Sequence, residues 1–290
     1  MNRGGYKTFL IRAFLLCLGL LFLFPLLVSI AGSFMKEEAI LTSYTSRLSS
    51  FDLSEGITEG FMRIRLIPNP VSFDQYLGVL IFQPAFLVLL LNSLKITLPV
   101  TLGTLLVAIL SAYGFCLWQW KHKEKVFLVY IVVMLMPLQA VLVPNYIVAA
   151  LLGIERSYLA IILPGIFSPF GVFLMRQGMK AVPQAYFEAA RIDGAGNWRI
   201  LWNILVPQLR PIISALAMLT FIEYWNVVEQ AVIFIQDLRL EPLSVYLSRL
   251  ADDRRALIFA ASAVYMFLPL WFLLAGQEDL EKGIELSGVK

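Results

Sequence analysis

The sequence predicts an all-α, polytopic membrane protein, and both its composition and its long apolar runs indicate that fold class. Of its 290 residues, 59% are hydrophobic and only 15% are charged, whereas about a quarter of the residues of a soluble domain are charged. Several apolar runs reach the roughly 20 residues that a helix needs to cross about 30 Å of hydrocarbon. Most of the chain is therefore expected to lie in lipid.

Six apolar runs follow one another along the chain, and each is predicted to form one transmembrane helix: 13–30, 85–117, 126–152, 158–175, 211–235 and 256–276. The first run lacks the small-residue cleavage site of a signal peptide, so it is expected to be retained. Pro137 and Pro144 predict kinks in the third run. Lys95 interrupts the second run, and its ammonium group either reaches an interface or faces an acidic solute.

The distribution of lysine and arginine predicts the orientation of these helices. The segments on the side of the N-terminus carry more of these residues than the segments on the other side, and the richer side is normally cytoplasmic. Both termini are therefore expected in the cytoplasm. This orientation divides the chain into an N-terminus with the first helix (1–31), an external loop (32–84) and a core domain of five helices with a cytoplasmic tail (85–290).

The residue inventory excludes most enzyme classes. His122 is the single histidine and lies in the lysine-rich stretch 121–125, and Cys17 and Cys116 lie in separate apolar runs. A histidine-liganded metal site, a serine-histidine triad and a disulfide framework are therefore not expected. The chain has no glycine-rich phosphate loop ending in Lys-Ser or Lys-Thr, so any ATP is expected on another chain. We therefore expect a non-catalytic chain without a cofactor or metal of its own. Its charge is organised by membrane side, which predicts lipid and not nucleic acid as a partner.

The predicted cytoplasmic loop after the fourth run contains two short helices that meet at a glycine. Pro183 suits a first helical turn, residues 184–193 contain no helix breaker, and Gly194 is the residue type expected just past a helix end. Asn197 is a good N-cap for a second, amphipathic helix, which is predicted to stop near Pro207.

Two features of the first short helix predict a docking surface. Ala189 and Ala190 remove side-chain bulk from one face, and Asp193 lies near a helix C-terminus, where the helix dipole disfavours an acid. The alternative is an ordinary pair of interfacial helices that lies on the membrane. The pattern alone leaves both readings open.

The order of residues in this loop resembles the EAA loop of the permease subunits of ATP-binding-cassette importers. Glu188-Ala189-Ala190 is followed by three residues, Gly194, nine residues and Ile204-Leu205-Val206-Pro207, in which only Val206 departs from the family's leucine. Further segments within 85–290 are similar to the MalG-like branch that imports carbohydrates: Asn92-Ser93-Leu94, Ala112-Tyr113, Met136-Pro137, Val143-Pro144-Asn145-Tyr146, Leu163-Pro164, Arg176-Gln177, Tyr224-Trp225-Asn226, Pro242-Leu243-Ser244 and Gly288-Val289-Lys290.

This resemblance implies that the loop 182–210 couples the membrane helices to a separate ATPase. The residues expected to carry the coupling are Glu188, Ala189, Ala190, Asp193 and Gly194. The tail residues Gly288, Val289 and Lys290 are expected to contact the ATPase as well. The resemblance implies a second, MalF-like permease subunit, two ATPase subunits that bind ATP and Mg²⁺, an external solute-binding protein, and an oligosaccharide or related polyol as the solute in a bacterial cytoplasmic membrane.

Polar residues inside the fifth run are candidates for the solute path, because charged groups in a membrane normally face a cavity or a partner. Glu223, Asn226 and Gln230 are spaced to lie near one helix face, and Glu229 lies toward the adjacent side. Their donors and acceptors suit sugar hydroxyls, and Tyr224 and Trp225 are expected to stack on sugar faces. The alternative is a polar contact with the partner permease.

Two other functional classes compete with the importer subunit. An ion-coupled secondary transporter would also carry intramembrane carboxylates, but no internal repeat relates the two halves of the chain. A membrane-embedded enzyme would need a nucleophile with a base, or a metal site, and the sequence offers neither.

Overall fold

The computed structural model describes residues 3–44, 66–117, 121–249 and 255–287, and every regular element in these ranges is a helix. The predicted all-α fold class is confirmed. The helices are α1 (Arg3–Ser33), α2 (Glu37–Tyr44), α3 (Asp74–Leu80), α4 (Pro84–Leu117), α5 (Lys123–Met134), α6 (Leu138–Leu151), α7 (Leu159–Ile166), α8 (Pro169–Ala181), α9 (Gln184–Ile192), α10 (Asn197–Ile200), a π-helical turn (Leu201–Leu205), α11 (Val206–Gln208), α12 (Arg210–Trp225), α13 (Glu229–Phe234), α14 (Leu243–Arg249) and α15 (Arg255–Ser287).

Within the described residues, four helical segments are long and apolar enough to cross a membrane: Phe9–Ser33, Pro84–Leu117, Leu159–Ala181 and Leu257–Leu280. Two further helix pairs pass the same test together but are bent, by 100° between α5 and α6 and by 76° between the segment Asn197–Gln208 and α12. The predicted number of six spans is reached when each bent pair counts as one span.

The third predicted run is bent where Pro137 precedes α6. Pro137 has an extended backbone (φ −66°, ψ 145°) and has no N–H to continue the hydrogen-bond ladder of α5. Pro144, the other predicted kink, lies inside α6, which continues to Leu151.

The prediction of one continuous helix over 211–235 is wrong. Helix α12 ends at Trp225, and α13 begins at Glu229 after a short break. The Asn226 side chain donates a hydrogen bond to the Ile222 carbonyl at 2.9 Å, a local bond by which asparagine competes with the helical ladder. The break removes the single helix face on which Glu223, Asn226 and Gln230 were predicted to lie.

The described residues divide into two compact units, and the first comprises residues 1–87 and 247–267. Its N-terminal helix α1 is exposed along most of its apolar length, as expected of a helix that faces lipid. The end of α1 is tied to α3, because the Ser33 hydroxyl lies 2.8 Å from the Tyr76 hydroxyl and the Gln75 amide donates to the Gly32 carbonyl at 3.3 Å. The predicted external loop 32–84 lies partly outside the described residues.

The second unit comprises residues 88–246 and 268–290. Its main core joins α4, α8 and α12 through buried Ala108, Val172, Met175 and Leu216. These helices approach closely at Gly171, where a Cβ would lie 3.3 Å from side chains of both α4 and α12. Small residues at helix contacts are typical of membrane proteins, in which packing drives helix association.

Two residues of α4 fix the segment before α14. The Asn92 amide donates hydrogen bonds to the Arg239 carbonyl at 2.8 Å and to the Glu241 carbonyl at 3.2 Å. The Ser93 hydroxyl accepts a hydrogen bond from the Leu243 N–H at 2.9 Å. Lys95 is exposed, and its ammonium group lies 3.4 Å from the Asn92 side-chain oxygen.

Candidate coupling site

The predicted glycine corner is present at the end of α9. Gly194 has φ +75°, which is the left-handed conformation that favours glycine. The Ala195 N–H donates to the Ala190 carbonyl at 2.9 Å, and the Gly194 N–H donates to the Arg191 carbonyl at 3.0 Å. These two bonds form a Schellman motif, which satisfies carbonyls left open at the helix end. A Cβ on Gly194 would meet no atom within 4 Å, so glycine is needed here for its backbone conformation and not for space.

Helix α9 presents one side to the solvent and the other to its own chain. Glu188, Ala189 and Ile192 are exposed, and Ile192 reaches 86%. Ala190 is only 7% exposed, and Phe187 packs against the main core. The prediction that Ala189 and Ala190 open the same face is wrong, because consecutive residues of a helix point about 100° apart. Asp193 and Gly194 are exposed beside Ile192.

The second half of the loop is embedded in the core of the second unit. Leu201 and Leu205, both in the π-helical turn, are 0% and 1% exposed and belong to the main core with α4, α8 and α12. The Tyr113 hydroxyl of α4 donates to the Asn197 carbonyl at 2.8 Å. Asn197 is the first residue of α10 and Gly196 precedes it as the cap, so the predicted N-cap role of Asn197 is wrong. The segment from Gln184 to Leu205, called the coupling segment below, joins an exposed helix to the helices of the membrane domain.

Arg176 is a buried charge that the sequence reasoning noted only as part of the family resemblance. It is 2% exposed, and its Nη2 lies 2.5 Å from Glu124 Oε1. Its guanidinium carbon lies 3.8 Å from the centre of the Phe127 ring, a cation–π contact between α8 and α5. An arginine at the end of an apolar run was the available signal.

The segment Glu223–Gln230, called the polar segment below, separates the predicted path residues into two groups. Glu223, Asn226 and Glu229 are exposed and Gln230 is half-buried. Trp225 is 0% exposed and stacks on Phe221 with ring centres 5.6 Å apart. A sugar therefore cannot stack on Trp225 in this conformation.

Tyr224 also has a packing role. It is half-buried, and its hydroxyl lies against Gly165 of α7, where a Cβ would be only 2.7 Å from the hydroxyl oxygen.

Gln139 belongs beside the polar segment, although the sequence reasoning did not single it out. Its amide nitrogen donates to Glu229 Oε2 at 3.0 Å, and this bond joins the first turn of α6 to the first turn of α13. Nothing in the local pattern indicated the contact, because the two residues are ninety positions apart.

The predicted tail residues Gly288, Val289 and Lys290 lie outside the described residues. Among the described residues, no group of three or more His, Cys, Asp or Glu side chains is placed to hold a metal ion.

Several curated proteins are similar to this chain. It is 25% identical over 280 residues to the arabinooligosaccharides transport system permease protein AraQ of Bacillus subtilis (strain 168), covering 96% of this chain and 94% of that relative. It is 30% identical over 231 residues to the sn-glycerol-3-phosphate transport system permease protein UgpE of Yersinia pestis, covering 78% of this chain and 75% of the relative. It is 34% identical to the lactose transport system permease protein LacG of Rhizobium radiobacter, over 56% of this chain and 59% of that relative's length.

The fold also resembles one chain of a solved bacterial ABC transporter involved in the import of the acidic polysaccharide alginate. The TM-score is 0.74 at 19% sequence identity, and the match covers 96% of this chain and 98% of that chain. At this identity the likeness concerns the fold alone.

Residues 9–280 match the family described as "Binding-protein-dependent transport system inner membrane component". The match covers nearly the whole chain, and the family consists of permease subunits, so the predictions of a non-catalytic permease of an ATP-driven importer and of a location in the inner membrane are confirmed. The chain belongs to this family of inner membrane components.

Proposed function

We propose that this permease forms half of the translocation path for a carbohydrate, with an oligosaccharide or a related polyol as the solute. The names of its relatives support this class, since they are permeases of transport systems for lactose, arabinooligosaccharides and sn-glycerol-3-phosphate. The exposed polar groups beside the break between α12 and α13 offer the donors and acceptors that sugar hydroxyls require.

The coupling segment is the proposed docking element for the ATPase. This proposal rests on the connection between the exposed helix α9 and the buried π-helical turn Leu201–Leu205. The side chains of Glu188, Ala189 and Ile192 on α9 are exposed. Leu201 and Leu205 are buried in the main core of the second unit. The Schellman corner at Gly194 sets the angle between the two parts, so a displacement of α9 would move the core helices with it.

The complete importer is proposed to contain this chain, a MalF-like second permease, two ATPase subunits and an external solute-binding protein. ATP and Mg²⁺ would be bound by the ATPase subunits. The family description, which refers to a binding protein, supports the last of these partners. Both termini of this chain would lie in the cytoplasm, on the same side as α9, and the tail Gly288-Val289-Lys290 would contact the ATPase.

Glu223, Asn226 and Glu229 are the proposed path residues of this chain, with Gln139 beside Glu229. A polar contact with the partner permease is the competing role for the same surface. Trp225 and Tyr224 would support this surface from behind, because they are packed into the chain.

Reconstitution of the complex in proteoliposomes tests the proposal. The expected result is uptake of a carbohydrate that requires ATP, the ATPase subunits, the second permease and the binding protein together. This chain alone, supplied with the solute and an ion gradient, should show no concentrative uptake. Concentrative uptake by the chain alone would contradict the importer and favour an ion-coupled secondary transporter.

A further inference from the structure

A cavity of about 480 Å³ lies between α9 and the ends of α4, α5 and α8, within the second unit. Its walls come from the last turn of α4, the first turn of α5, the end of α8, one stripe of α9 (Gln184, Phe187, Glu188 and Arg191) and Leu205. Five charged residues line it. Four are cationic, Lys123, Arg176, Lys180 and Arg191, and the fifth is the acid Glu188. A cavity of this size, with few charged groups of mostly one sign, has the character of a small-ligand site for an anion.

Arg176 contributes a buried cation to the wall of the cavity. The side chain is only 2% exposed, and Glu124 accepts a hydrogen bond from its Nη2. Its Nε has no hydrogen-bond partner among the described residues. A guanidinium carries five N–H donors and no acceptor, and a buried donor without a partner is unfavourable. Nε itself is buried from solvent and Arg176 is paired with Glu124, so an anion in the cavity would meet the positive charge of Lys123, Lys180 and Arg191.

The position of the cavity relative to the apolar helices indicates which anion is available. Helix α4 ends at Leu117, α5 begins at Lys123 and α8 ends at Ala181, so three apolar helices end around it. Apolar helices that cross a bilayer end at its headgroup layer or beyond it. Apolar side chains such as Phe115 and Phe187 line the remaining wall and suit the part of a lipid next to its headgroup.

We propose that this cavity binds the phosphate group of an anionic phospholipid, whose negative charge is not balanced by a cation in the same headgroup as it is in phosphatidylcholine. Lys123, Lys180 and Arg191 attract the phosphate from three helices. Basic pockets between membrane helices bind lipid headgroups by this chemistry, and hydrogen bonds from charged donors to phosphate oxygens are among the strong ones. Because Arg191 lies on α9 and Lys180 on α8, a bound phosphate links these two helices.

Binding itself does not depend on the coupling role, whereas its effect on transport rests on the proposed function. The experiment therefore measures occupancy without ATP or solute. The complex is reconstituted in vesicles of phosphatidylcholine alone and in vesicles that also contain phosphatidylglycerol. The uncharged reagent N-ethylmaleimide is added, and modification of this chain's cysteines is followed by mass spectrometry. Cys116 lines the cavity and is partly exposed, so the rate of its modification is the readout.

We expect phosphatidylglycerol to slow the modification of Cys116 severalfold. Lys123→Gln and Lys180→Gln should each raise the amount of phosphatidylglycerol needed for protection by about tenfold, the factor expected for one lost charge-assisted contact. Lys125→Gln is the matched control, because Lys125 is exposed on α5 but does not line the cavity. In this variant, phosphatidylglycerol should protect Cys116 at the same lipid content as in the wild type.

Three results would overturn the proposal in distinguishable ways. Equal loss of protection in Lys125→Gln would show general attraction to a charged membrane. Protection in phosphatidylcholine vesicles on addition of inorganic phosphate alone would confirm phosphate chemistry but reject the lipid as its source. Protection that appears in both vesicle types whenever the ATPase is present would show that a side chain of the ATPase fills the cavity. Each result is independent of uptake, so a failure of the coupling role is detected separately.

Discussion

The coupling segment and the polar segment were both predicted from short residue patterns, but the structure agrees with the predicted backbone of the first and differs from that of the second. In the coupling segment, the helix, its end and the left-handed glycine all appear where the sequence places them. In the polar segment, the predicted continuous helix is broken after Trp225, and one of its two aromatic residues is fully buried. The difference lies in the kind of physical rule behind each prediction.

A Schellman corner is determined by residues that are neighbours in sequence. Glycine adopts φ +75° without the strain of a Cβ, and the hydrogen bonds that close the corner join residues no more than five positions apart. The polar segment depends on long-range contacts: Trp225 packs in the core, Tyr224 lies against Gly165, and Glu229 bonds to Gln139. A pattern of polar residues within one run carries no information about those partners.

The largest effect is expected for Trp225→Ala. Truncation of a fully buried tryptophan that stacks on Phe221 should lower the free energy of unfolding by about 3–5 kcal/mol, because a cavity remains in the core. The measurement is the thermal unfolding midpoint of the purified permease complex. Glu223→Gln on the same helix is exposed and should leave that midpoint unchanged. Equal stability of both variants, with solute affinity lost only in Trp225→Ala, would instead support the original sugar-stacking prediction.

The next effect separates two adjacent alanines. Ala190→Leu places three extra carbons at a buried position and should destabilise the permease by about 1–3 kcal/mol through overpacking. Ala189→Leu lies on the exposed side of α9, so it should leave stability unchanged and reduce the amount of ATPase that copurifies. The two variants are compared by thermal unfolding of the permease alone and by copurification of the ATPase. If Ala190→Leu instead reduced ATPase copurification and Ala189→Leu reduced stability, α9 would dock through the side that faces its own chain in this structure.

Gly194→Val tests the corner itself and is expected to have a moderate effect. The left-handed conformation costs a residue with a Cβ about 1–2 kcal/mol, and open space around Gly194 means that no clash adds to it. The corner should therefore change its angle while the core stays intact, so ATP hydrolysis in proteoliposomes continues with less uptake for each ATP.

Gly196→Val is the matched control for that variant. Gly196 also has open space around a Cβ, but its φ of −72° and ψ of 165° are accessible to valine. It should behave as wild type in both hydrolysis and uptake. Wild-type values for Gly194→Val as well would show that the loop is a passive element, and the coupling role would be abandoned.

Sequence reasoning predicted those parts of the molecule that follow from composition and local geometry. The all-α class, the span of α4 and the bend before α6 follow from hydropathy and from the missing N–H of Pro137. The location of Ala190 did not follow, because helix periodicity gives relative directions but not which direction faces the core. Arg176 and its cavity were missed for a similar reason: its partners Glu124 and Phe127 lie on another helix, about fifty residues earlier.

The smallest effect concerns Gln139 and Glu229, whose hydrogen bond is exposed. Such a bond contributes about 0.5–1.5 kcal/mol at most, so Gln139→Ala and Glu229→Gln should each leave folding and ATPase association intact. If these residues line the solute path, each single change should alter the apparent KM for uptake severalfold, and the double variant should depart from additivity by less than about 1 kcal/mol. Glu155→Gln, in the connection between α6 and α7, is the matched control and should leave KM unchanged. If the single variants instead release the second permease during purification while KM stays constant, the polar segment is a contact between the two permeases, and the solute path of this chain must lie elsewhere.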